Sequence, residues 1–95
     1  MVDQRNYLEE ARTALADPGA PAAQRLRLAA TLFRHAYIYQ GAGWPPSLRL
    51  RADELLRRLM GHGQMFRHLS ELDEQTATGL CDDLAQLLNE LTTGA

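Results

Sequence analysis

Apolar residues recur along this chain at spacings of three and four and nowhere in strict alternation, so the pattern predicts helices and no strands. Leu8, Ala11 and Leu15 make the first stripe and predict a helix over 3–16. Asp3 suits its N-cap, Val2 and Tyr7 stand at the positions of a hydrophobic staple, and Asp17-Pro18-Gly19 ends it. A second helix is predicted over 21–40. Pro21 would take its first position, where a missing N–H costs nothing, and Gly41 would follow as the C′ residue. Its apolar residues Leu26, Leu28, Ala29, Ala30, Leu32, Phe33, Ala36, Tyr37 and Tyr39 spread over roughly 200° of the circumference at 100° per residue. Arg27, Thr31, Arg34 and an out-of-place Ile38 hold the remaining face. So wide an arc has to be covered from more than one side, which makes this helix the centre of the fold.

The segment Gly41-Ala42-Gly43-Trp44-Pro45-Pro46-Ser47 reads as a stiff loop, and a third helix follows over 46–60 with Leu48, Ala52, Leu55, Leu56 and Leu59 inward. Gly61-His62-Gly63 breaks that helix, and Gln64 to Leu69 reads as a short turn carrying Met65, Phe66 and Leu69 inward. The fourth helix is predicted over 70–92, capped by Ser70 or Asp73. Ala77, Cys81, Leu84, Leu88 and Leu91 form its seam, Leu80 and Leu87 widen it, and Gly79 weakens it by roughly 1 kcal/mol relative to alanine. The expectation is a single all-α domain over 1–95, a small bundle of four main helices packed around the second.

Composition narrows this picture. A domain of 95 residues buries only about 60–65% of its unfolded surface, so association would be an economical way of adding burial. The single Cys81 excludes an intramolecular disulfide and fits a reducing compartment. Residues 1–6 hold no apolar core of a signal peptide, and no apolar run approaches the ~20 residues of a membrane span. A cytoplasmic protein without a membrane segment is expected.

Charge is laid down unevenly. Arg25, Arg27, Arg34, Arg49, Arg51, Arg57, Arg58 and Arg67 face only Asp53 and Glu54 in the middle of the chain, whereas the segment from His68 onward carries six carboxylates and neither arginine nor lysine. Either the two blocks lie against each other, within or between chains, or one of them awaits a partner. All ten strongly basic residues are arginine, which a coding bias or selection for bidentate phosphate and carboxylate recognition would equally produce.

The absence of lysine excludes a Walker A loop and a Schiff-base lysine, and the sequence contains no G-x-G-x-x-G, H-E-x-x-H or Glu-x-x-His. His35, His62 and His68 lack the spacing of convergent metal ligands, so neither metal nor cofactor is expected. Cys81 lies on an apolar seam beside Asp82 and Asp83, a setting that disfavours thiolate. Asp53 and Glu54 precede Arg57 and Arg58 by one turn, in the order that favours pairing along a helix. Arg49 and Arg51 point about 160° apart at 100° per residue and cannot share one groove.

Trp44, held between Gly43 and two prolines, is either a lid folded back on the core or a pre-ordered anchor for a partner. The reading that follows is a small non-enzymatic protein–protein interaction module, an adaptor or regulator, whose partner is another protein or a second copy of the chain. Its contact residues are expected among Ile38, Trp44, Arg49, Arg51, Arg57 and Arg58. Nucleic-acid or phosphate binding through the Arg25–Arg67 segment is the alternative. Catalysis would need an interhelical pocket gathering a histidine and a carboxylate.

Overall fold

The computed structural model describes residues 6–60, 69 and 72–92. Four helices follow in order: α1 Tyr7–Leu15, α2 Ala22–Gln40, α3 Pro46–Met60 and α4 Glu74–Thr92, with a 3₁₀ turn at Gly41–Gly43 between α2 and α3. The described residues include no strand. This is the all-α bundle that the spacing predicts. α2 packs most extensively on α1, then on α4, while α3 lies against α4 and the far end of α2.

Helix ends follow side-chain capping more closely than apolar periodicity. α1 begins at Tyr7, because Asn6 accepts the Glu9 N–H through Oδ1 at 3.1 Å and satisfies a donor the first turn leaves open. The expected cap Asp3 and the staple residue Val2 lie outside the described residues. Asp73 caps α4 in the same way, its Oδ2 accepting from the Thr76 N–H at 3.2 Å, so the helix starts at Glu74 and not at 70. Ser70 lies outside the described residues. Pro21 is the N-cap of α2 and not its first residue, since its ψ of 154° is extended.

Gly41 also differs from expectation. Its φ of −62° and ψ of −26° are right-handed, so the chain runs from α2 directly into the 3₁₀ turn without a left-handed C′ residue.

The core draws on every helix. Leu26 and Phe33 of α2, Leu59 of α3, Leu84, Leu87 and Leu88 of α4, and Leu69 from the preceding turn are its largest fully enclosed side chains. Met65 and Phe66, expected to join Leu69, lie outside the described residues. Ala22, Ala29 and Ala36 form a fully buried stripe of small residues along α2. Small side chains allow close helix approach, and α4 comes near enough for the Cys81 thiol to lie 3.5 Å from the Ala22 carbonyl oxygen. The inward residues expected of α3 are all buried. So are Leu8, Ala11 and Leu15 of α1 and the main seam of α4, except Leu91, which with Leu80 is half-buried.

The apolar arc of α2 is narrower than its sequence implies. Leu28 and Tyr39, expected inside, are 55% and 70% exposed, and Tyr37 is half-buried. α1, α4 and the Trp44 loop cover one side of α2, and their contacts still leave Leu28 and Tyr39 more than half exposed.

Candidate functional site

Arginines of the basic middle meet carboxylates of the acidic C-terminal segment within one chain. Arg51 of α3 pairs with Glu90 of α4 at 2.7 Å, and Arg58 lies 3.5 Å from Asp83. Arg57 pairs with Asp53 one turn earlier at 3.0 Å, as the spacing predicts. Both side chains of each pair stay at least a third exposed, so each pair contributes only about 0–1 kcal/mol, but they occupy three of the arginines expected to meet a partner. Arg25 is occupied too. Its Nη1 donates to the Leu15 carbonyl at 2.9 Å and its Nε to the Ala20 carbonyl at 3.0 Å, closing the C-terminal end of α1. Arg67, His62 and His68 lie outside the described residues.

Trp44 folds back. Its ring stacks on that of Phe33 with centroids 6.1 Å apart and an interplanar angle of 11°, and meets the Tyr37 ring edge-on at 6.1 Å. It is half-buried against the core, so the lid conformation is the one the chain adopts. The prolines favour this, because Pro45 holds Trp44 extended, with ψ of 151°, and the 3₁₀ turn brings the ring over Phe33.

The remaining edge of Trp44 lines a groove with Tyr37, Ala42, Pro46, Arg49, Leu50 and Asp53. Tyr37 Oη lies 3.5 Å from Asp53 Oδ1 and ties α2 to α3 along the groove floor. Leu50 is 61% exposed, and Arg49 makes no ion pair among the described residues. The groove therefore offers apolar surface beside an uncommitted guanidinium, suited to an apolar side chain adjoining a carboxylate.

Of the expected contact residues, the structure brings Trp44 and Arg49 together here. Arg51 and Arg58 turn toward α4, Arg57 pairs along its own helix, and Ile38 stands 54% exposed on the outer face of α2, away from the residues lining this groove. Leu50, Tyr37 and Asp53 were not among the expected contacts. Leu50 was signalled in sequence only by being apolar between two arginines on the outward arc of α3.

Titratable groups elsewhere are set by local structure. Burial pushes the Cys81 thiol above its ordinary value, with Arg25 opposing and Asp82 and Glu74 adding to the rise. The thiol stays protonated within the core. His35 lies edge-on to Tyr7 at 5.6 Å, and the described residues contain no cluster of three or more metal-ligating side chains. No described helix is long and apolar enough to cross a membrane. Comparison with family models, curated proteins and solved structures finds no match for this chain.

Proposed function

We propose that the chain is a small non-enzymatic protein–protein interaction module, an adaptor or regulator, whose partner docks on the Trp44 groove. The observation that carries this reading is the juxtaposition of exposed Leu50, the open edge of Trp44 and Arg49, which has no ion pair among the described residues. Aromatic and arginine side chains dominate protein contacts because they combine large apolar area with directed hydrogen bonding. Proline-restricted backbone around Trp44 supports pre-organisation, so little ordering entropy is lost on binding. The partner's contribution is a segment with an apolar or aromatic side chain next to a carboxylate. The same reading places the protein in the cytoplasm, where the lone Cys81 stays reduced.

The test is affinity capture from the host lysate with nuclease present, comparing the natural chain with Leu50→Asp and Arg49→Glu. Both changes fall on exposed positions and should leave the helical signal intact. A stoichiometric partner lost by both variants is expected, and a partner retained equally by both would sink the reading.

Nucleic acid is the second reading, and Arg27 and Arg34 support it by sharing one side of α2 without ion partners among the described residues. Binding of that kind would lose about 0.9 decades of affinity per decade of salt for each phosphate neutralised. A flat salt response would remove it.

A further inference from the structure

The outer face of α2 carries a second pattern, separate from the one that faces the core. Leu28, Thr31, His35 and Ile38 succeed one another at three, four and three residues, the spacing of a helix-pairing seam, and Tyr39 stands beside it. Leu28, Ile38 and Tyr39 are each more than half exposed. A monomer of this size that has already enclosed Phe33 and six leucines gains nothing by displaying three large apolar side chains along one helix.

Charge is ordered across this face. Arg27 and Arg34, seven residues apart and so about 20° from each other around the axis, border the seam on the side of Ile38. Neither makes an ion pair among the described residues. The opposite border is α1. Tyr7 of α1 stacks on Tyr39 at 6.1 Å, and a groove between the helices sets Glu9, Glu10 and Asp17 against Leu28 and Leu32. Arg12, the basic residue within α1, pairs with Glu9 and reaches Thr92 of α4 at 3.2 Å, on the side of α1 that faces α4. Across the face the order is therefore acidic, apolar, basic.

A surface of that order is complementary to itself. Two copies facing each other about a two-fold axis that runs along α2 exchange left for right, so each acidic border meets a basic one and the apolar seams coincide. A two-fold set across the helix would lay acid on acid and base on base. We infer that the chain forms a homodimer through the outer face of α2, with the two α2 helices side by side and parallel, and with Arg27 and Arg34 of each copy opposite Glu9, Glu10 and Asp17 of the other. The inference stands on a different face from the Trp44 groove, which remains open in such a dimer.

Sedimentation equilibrium of the full chain over a wide concentration range tests it. The mass should rise from the 10.6 kDa monomer toward twice that value, less readily at high salt. Arg27→Glu with Arg34→Glu makes both borders acidic, and Glu9→Arg with Glu10→Arg makes both basic. Each double variant should dimerise about tenfold or more weakly, while an equimolar mixture of the two should associate again because its borders match. Far-ultraviolet circular dichroism verifies that each variant is folded. Ile38→Asp, at an exposed position, supplies an independent break in the seam should a charge variant fail to fold. A chain that stays monomeric throughout overturns the dimer, as does a dimer indifferent to Ile38→Asp and the charge changes. Neither result bears on the Trp44 groove, which is read through Leu50 and Arg49.

Discussion

Arg25 of α2 closes the helix before its own: its Nη1 meets the Leu15 carbonyl oxygen at 2.9 Å while its Nε holds Ala20. The guanidinium stands where the α1 dipole is negative, and it is half-buried, so the bonds are better shielded than the surface ion pairs. Arg25→Met keeps the aliphatic stem and removes both bonds. It should cost about 1.5–3 kcal/mol, seen as a lower urea midpoint with an unchanged slope.

Trp44 is the sole tryptophan, so its fluorescence reports the Phe33 stack directly. Emission should shift to the red in the same transition that removes the helical signal. Trp44→Ala should lower stability by about 2 kcal/mol, less than the roughly 3–5 of a fully enclosed aromatic, because one edge of the ring faces the groove. A variant as stable as the natural chain would show that the stack is not maintained in solution.

Two glycines are not required by the backbone they occupy. A methyl at Gly79, within α4, would meet nothing within 4 Å, and one at Gly41 would rest at ordinary contact distance from the Tyr37 and Trp44 rings, 3.7 and 3.8 Å. Gly79→Ala should stabilise by about 0.5–1 kcal/mol through helix propensity and the lowered entropy of the unfolded chain. Gly41→Ala should follow in the same direction. Thermal melts of the two single variants and their combination would also show whether the gains add.

Asp73 and Cys81 give stability opposite slopes at the two ends of the pH scale. The Thr76 hydroxyl, then the Thr76 backbone N–H, hold the Asp73 carboxyl below its ordinary 3.8. Its contribution is therefore present above that value and disappears as pH falls through the lower folded one. Burial raises Cys81 above 9.0, so its contribution is complete below that value and is lost as pH rises toward the folded one. Asp73→Asn should flatten the acid limb of a stability–pH profile, and Cys81→Ala the alkaline limb.

The residues that built the helices were readable in sequence because periodicity reports which side of a helix is apolar. Leu48, Ala52, Leu55, Leu56 and Leu59 fall on one stripe, and all are buried. Periodicity does not report how much of that side its neighbours reach, and so Leu28 and Tyr39 read as core although they face outward. Arg25 illustrates a second limit. Its bond to Leu15 spans ten positions and depends on the path of the intervening turn, which no local spacing encodes. At the Trp44 groove, Trp44 was legible as an exceptional residue and Arg49 only as one of four arginines expected to meet a partner, whereas Leu50 and Tyr37 join them through the crossing of α3 with α2. The ion pairs from Arg51 to Glu90 and from Arg58 to Asp83 bring parts of the two charge blocks together within one chain, a contact the sequence alone could not assign.

The bond from Arg12 to Thr92 joins residues 80 positions apart. Closing a chain segment of that length costs roughly 4 kcal/mol of configurational entropy, by the (3/2)RT ln n rule. α1 and α2 are linked by only residues 16–21 and share the most extensive contact, so their hairpin can assemble while the rest of the chain is still searching. Docking of α4 on that hairpin then carries the closure cost, so substitutions at the α2–α4 contact should alter the folding rate. In the reverse direction α3, which has the least extensive contact with the other helices, should loosen first and the α1–α2 hairpin last.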